Sequence, residues 1–161
     1  MSRSKFIGIM ALVVFAMGIV LVGYALAGEK ENIKIIERNN NEVWNQQKYE
    51  IVDEIVAENY VRHDLALGQD IRGREAYIEN IKQTMAFKWV FISETLIASG
   101  DYAAGRFSGV GIDPATAKPV KLTCIIMFRL KDGKLVEDWV QYDNLGLLQQ
   151  LGYKLAPPSE K

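Results

Sequence analysis

At Met85 the hydrophobic pattern of this chain changes period, and that change limits its possible folds more than any other feature. Before it, apolar residues recur at the three-, four- and seven-residue spacings of helices. Ile33, Ile36, Val43 and Trp44 predict a helix from Glu31 to about Gln47, with weak helix formers at Asn39, Asn40 and Asn41. Ile51, Val52, Ile55 and Val56 predict a second, from Tyr49 to Asn59. Tyr60 to Asp64 reads as a short extended piece and Leu65 to Arg72 as a loop. Gly73 to about Met85 reads as a third helix. After Met85 the period is two, which predicts strands at Trp89–Ser99, Tyr102–Ile112, Val120–Lys131 and Leu135–Asp143. A short helix from Leu145 to Leu151 closes the domain at Gly152, and a loose tail covers 153–161. Helices first and an antiparallel meander after them predict an α+β domain. With so few helices to cover it, one face of the sheet is expected to wrap around a cavity.

The hairpin at Asp132-Gly133 sets a register for the last two strands. A strict two-residue turn pairs Lys131 with Lys134, Leu130 with Leu135, Phe128 with Glu137, Ile126 with Trp139, Cys124 with Gln141 and Leu122 with Asp143. Those residues then share one face, and Ile125, Met127, Val136, Val140 and Tyr142 take the other. Both faces are apolar, and helices cover only one. The exposed face is expected to meet a second copy of the chain in a homodimer; the alternative is an open sheet with scattered apolar residues.

Residues 1–27 differ from the rest. Arg3 and Lys5 precede an uncharged apolar run from Phe6 to Ala27, which ends in Ala25-Leu26-Ala27 ahead of Gly28. Small residues at these positions suit a signal-peptidase site after Ala27. The run is also long enough to cross a bilayer, so an uncleaved anchor is the competing reading. Both readings place the domain, residues 28–152, outside the cytoplasm, with residues 6–27 as its sole membrane attachment if uncleaved.

The chain has 161 residues, 19 basic and 20 acidic, for a net charge of -1. Its Lys and Arg are dispersed, which argues against nucleic acid as a partner. With one Cys (Cys124) and one His (His63), neither an intrachain disulfide nor a four-ligand zinc site can be built. Phosphate-binding glycine loops and nucleophile elbows are also missing. No metal is expected.

Four positions carry candidate chemistry. Asp143 ends the last strand on the face of Trp139, Gln141, Cys124 and Ile126. There an apolar cavity would raise its pKa and suit it to general acid/base work. Equally, Asp143 can cap the helix that follows, since Asp is a preferred N-cap. His63 is the one side chain that titrates near neutral pH, and it is either a pocket residue or a structural one. Arg106 and Arg129 lie inside strands, where they can line a pocket or reach solvent. Cys124, buried mid-strand, reads as an inert thiol rather than a nucleophile.

Three stretches resemble the SnoaL-like polyketide cyclase (ester cyclase) family of the nuclear-transport-factor-2-like superfamily. They are Asn41–Gln46 leading to Tyr60–Asp64, then Arg129–Trp139, and Asp143-Asn144-Leu145-Gly146-Leu147-Leu148-Gln149-Gln150-Leu151-Gly152. The resemblance implies a conical fold of helices on a curved antiparallel sheet enclosing a pocket. It also implies cofactor-free acid/base chemistry of the intramolecular aldol type on an apolar carbonyl compound. By the same resemblance Asp143 is the catalytic aspartate and His63 a pocket histidine. Gln141, Trp139, Cys124, Ile126 and Tyr60 are then substrate contacts. The superfamily's ligand- and partner-binding members imply the alternative, a non-catalytic extracytoplasmic binding module. Two features depart from the family pattern. Asp138 stands where many relatives have His, and the link Ser108–Pro119 is short.

Overall fold

The computed structural model describes residues 28–64 and 68–156. The signal or anchor reading of residues 1–27 lies outside them. Among the described residues no helix is long and apolar enough to cross a membrane.

Residues 28–38 are α-helical (α1) and run into a π-helical turn, Asn39–Asn45. The asparagine run thus does not end the helix; it widens it, and Asn39 and Asn40 become buried beside Val43 and Trp44. A 3-10 turn at Tyr49–Ile51 leads into α2, Val52–Ile55. Here the sequence expectation is corrected. The second helix does not reach Asn59, because the chain becomes extended at Val56 and runs as strand β1, Val56–Asp64. Ile55 and Val56 suit either period, and pairing decides: β1 lies parallel to the last strand and covers an edge that would otherwise stay open. Strand β2, Ile71–Arg72, lies within the expected loop and pairs with β1. Helix α3 spans Arg74–Thr84 and buries Tyr77 and Ile81. Strands β3 (Val90–Ser99), β4 (Tyr102–Ile112), β5 (Pro119–Lys131) and β6 (Lys134–Tyr142) follow, and α4 spans Asn144–Gln150.

The six strands form one unclosed mixed sheet in the order β2-β1-β6-β5-β4-β3. The β5–β6 turn has Asp132 at φ 52° and Gly133 at φ 73°, as a two-residue turn with both central residues left-handed requires. Leu130 pairs with Leu135 as expected, but Arg129 pairs with Glu137, so Val136 is an extra residue in β6. Beyond it every expected pair shifts by one. Phe128 faces Asp138, Ile126 faces Val140, and Cys124 faces Tyr142. A one-residue slip exchanges the two faces of a strand. Asp138, Val140 and Tyr142 therefore turn inward, while Trp139 and Gln141 turn outward with Ile125 and Met127.

The helices pack on the inner face. Ile36, Val43, Tyr60, Tyr77, Phe128 and Leu135 are among its most deeply buried members. On β4, Gly105, Gly109 and Gly111 face inward, and aromatic rings lie against their backbone. A Cβ at Gly109 would sit 2.7 Å from Phe91, and one at Gly111 2.6 Å from Trp89. Phe87, Trp89 and Phe91 form a stack across this strand, with successive ring centroids 5.7 Å apart. Asn45 ties the π-helical turn to β3 by exchanging two 2.8 Å hydrogen bonds with the backbone of Phe91. On the outer face Val90, Ile92, Ile97, Ile125 and Met127 are exposed.

Candidate functional site

Between the π-helical turn and the inner face lies a half-open cavity with about 50 Å³ of free space. Its walls are mainly apolar, from Ile36 on α1, Phe91 on β3, Phe107 on β4, and Leu122, Ile126 and Phe128 on β5. Polar groups enter at a few points: Asn39 and Asn40 from the π-helical turn, Arg62 from β1, and Tyr142 from β6.

Arg62 is 1% exposed, and its partner Asp138 is fully buried. Parallel pairing of β1 with β6 sets the two residues opposite each other. The guanidinium donates from Nε to Oδ1 at 3.0 Å and from Nη2 to Oδ2 at 2.7 Å. Its Cζ lies 5.2 Å from the ring centre of Trp44 and 5.3 Å from that of Tyr77, so aromatic faces complete its cage. Nη1 is buried and makes no hydrogen bond, and the same is true of the Tyr60 hydroxyl. Buried polar atoms are normally partnered, so each such exception asks for an explanation.

The neighbouring polar groups are engaged with one another. Trp44 Nε1 donates to the Tyr77 hydroxyl, which donates to Asn39 Oδ1, both at 2.9 Å. Asn40 donates to the Phe91 carbonyl. Burial works against the Arg62 charge, but the Asp138 carboxylate outweighs it and holds the guanidinium protonated. Burial pushes the Cys124 thiol up to about 11 and the Tyr142 phenol well above its ordinary value. Among the described residues no group of three or more His, Cys, Asp or Glu could hold a metal ion.

Of the residues singled out from sequence, Cys124 and Ile126 line the cavity, and Tyr60 is buried near it. Four others lie away from it. Trp139 and Gln141 point away from the cavity because of the Val136 bulge. His63, between inward-facing Arg62 and Asp64, lies on the outer face. It stacks on Trp139 with centroids 5.3 Å apart and bonds Glu137 and Asp70, both at 2.9 Å. Asp143 is exposed and caps α4, its Oδ1 accepting from Gly146 N at 2.9 Å. Of its two readings the cap is the one seen, and its carboxylate does not line the cavity. Arg106 and Arg129 are also on the outer face, paired with Glu94 and Glu137.

The residues missed were Arg62, Asp138 and the two buried asparagines. One signal was available for Asp138, the departure from the family pattern that the resemblance marked at that position. Arg62 had only its alternation with Tyr60 and Asp64.

The family model for the SnoaL-like polyketide cyclase matches residues 34–151. The chain belongs to the SnoaL-like polyketide cyclase family. That span holds every element from the middle of α1 to the end of α4, and with it the whole cavity. Among solved structures, the family chain is similar to IdmH from Streptomyces antibioticus, a candidate polyketide cyclase. Identity is 27%, with 74% of this chain and 97% of that one covered and a TM-score of 0.66. It is similar to a candidate polyketide cyclase from Bacillus cereus at 30% identity, covering 76% and 80%, with a TM-score of 0.66. A protein from Catenulispora acidiphila with a ketosteroid isomerase-like fold, solved with trimethylamine, shares 17% identity at a TM-score of 0.66, covering 76% and 97%. These likenesses confirm the expected conical, nuclear-transport-factor-2-like α+β architecture. No curated protein matches the sequence.

Proposed function

We propose that this member of the cyclase family binds an apolar, carbonyl-bearing small molecule in the cavity and holds it without turnover. The observation that carries the reading is the state of the cavity's ionisable groups. Arg62 is held protonated, Asp138 is spent on Arg62, and Cys124 and Tyr142 are pushed away from the neutral range. Proton abstraction needs a base that is ionised and within reach of the substrate, and none of the residues lining the cavity provides one. Mainly apolar walls with a few polar groups are the usual lining of a small-molecule site. About 50 Å³ holds only a few heavy atoms, at roughly 10–15 Å³ for one water. The ligand therefore inserts a small head and leaves the rest at the open side.

Family membership supports a second reading, cofactor-independent cyclisation or isomerisation. In that reading the buried carboxylate is Asp138 rather than Asp143. The apolar segment 1–27 supports an extracytoplasmic location for either. Native mass spectrometry of protein from its own envelope fraction tests these readings together. A chain starting at Gly28 or Met1 distinguishes release from anchoring. Recovery of an apolar carbonyl compound, unchanged on prolonged incubation with fresh protein, supports holding. Conversion of that compound, abolished by Asp138→Asn, overturns it.

A further inference from the structure

We propose that Arg62 is the specificity-determining residue of the cavity, choosing neutral carbonyl groups over carboxylates through its Nη1 donor. The inference rests on the cavity being the ligand site. Its first support is the unpartnered donor itself. Arg62 lines the cavity, is 1% exposed, and has bonded Nε and Nη2 but not Nη1. A buried donor without an acceptor costs stability, and a ligand oxygen at Nη1 removes that cost. The Tyr60 hydroxyl, two residues earlier on the same inward-facing row of β1, is a second buried polar atom without a hydrogen bond.

The choice of acceptor follows from charge. Asp138 is fully buried against Arg62, so the guanidinium and carboxylate together carry no net charge. A ketone, ester or amide oxygen takes the Nη1 hydrogen bond and keeps the cavity neutral. A carboxylate would bring in an unbalanced negative charge among apolar walls, close to Asp138, and burying such a charge is costly. An arginine alone would prefer an anion. An arginine already balanced by Asp138 prefers a neutral acceptor, and Asp138 is therefore a positioning residue that also sets the sign of the selectivity.

Three probes of nearly one shape test this: acetophenone, α-methylstyrene, in which CH₂ replaces the carbonyl oxygen, and benzoate. Binding to the full domain is read by NMR titration, with circular dichroism as the check on folding. In the wild type, acetophenone is expected to bind roughly 10- to 150-fold tighter than α-methylstyrene, the range for a hydrogen bond to a charged group. Benzoate is expected to bind more weakly than acetophenone. In Arg62→Met/Asp138→Leu, an apolar replacement of the pair, acetophenone and α-methylstyrene should bind alike. In Asp138→Asn, which leaves the Arg62 charge unbalanced, benzoate should overtake acetophenone. Equal wild-type affinity for acetophenone and α-methylstyrene overturns the inference and leaves the cavity as an apolar ligand site. Tighter wild-type binding of benzoate than of acetophenone overturns it as well. Failure of all three probes to bind overturns the ligand-site reading and the inference together.

Discussion

Arg62 and Asp138 face each other across parallel neighbouring strands and share three hydrogen bonds, from Nε to both carboxylate oxygens at 3.0 and 3.3 Å and from Nη2 to Oδ2 at 2.7 Å, with both side chains buried. Such a pair is expensive to break and cheap to replace whole. Arg62→Met alone leaves the Asp138 charge uncompensated and is expected to destabilise the domain by about 3–5 kcal/mol. Arg62→Met/Asp138→Leu should recover most of that loss, because apolar residues of similar volume need no desolvation. Urea unfolding of the two variants and the wild type measures both. Equal losses would show that the lone Asp138 charge carries no penalty of its own.

His63 gives the outer face a pH dependence of definite sign. Its hydrogen bond to Glu137 is the main cause that raises its pKa above the ordinary 6.5; desolvation opposes this, and the hydrogen bond to Asp70 adds to the rise. The imidazolium's stabilisation is thus complete below the unfolded value and is lost as pH rises through the higher folded value. Glu137, its pKa lowered by His63 and Arg129, stays ionised throughout that window. His63 is the only histidine in the chain. The melting temperature is expected to fall as pH rises past 6.5 and through the higher folded value, and His63→Gln should flatten that step. An unchanged profile in His63→Gln would place the titration elsewhere.

Asp143 is expected to matter for stability and not for the cavity. Asp143→Ala removes the acceptor of the Gly146 N–H and should cost about 1 kcal/mol. Ligand affinity, read by the same NMR titration, should stay within error. A large loss of binding with an unchanged melting temperature would restore Asp143 to the site.

We propose that the outer sheet face joins two copies of the chain. Ile92 on β3 and Ile125 on β5 are 59% and 60% exposed there, and Met127, two residues further along β5, is 44% exposed, so apolar side chains of two strands face solvent. Light scattering after size exclusion should show a dimer for the wild type and a monomer for Ile125→Glu. A monomeric wild type at tens of micromolar would overturn the proposal.

Period and turn residues made the strands β3–β6, the α+β class and the hairpin at Asp132-Gly133 legible, because each depends on local chemistry. Val136 was not legible. A bulge leaves alternation intact on either side and changes only which face each half takes, so Trp139 and Gln141 were assigned to the cavity in place of Asp138 and Tyr142. Val56 to Asn59 was read as helix because their strand state is set by β6, some eighty residues away, and not by their own spacing. The buried asparagines were hidden for a similar reason: their weak propensity suggested disruption, and the structure uses it for a π-helical turn. Asp143 was legible in part, since capping was one of its two readings.

The glycines of β4 give the cavity a wall that is not its own. Where Gly109 and Gly111 have no side chains, the rings of Phe91 on β3 and of Trp89 just before it pack against the bare strand, and Phe91 forms part of the cavity surface. The size of the chamber on that side is therefore written in a side chain of the neighbouring strand, and the sheet's backbone need not move for it to change. A smaller residue at Phe91 would deepen the chamber while the glycine floor stays in place. A larger one at Gly109 has nowhere to go. Exchange at Phe91 alone would thus change the size of molecule this cavity accepts and leave the Arg62–Asp138 pair in place.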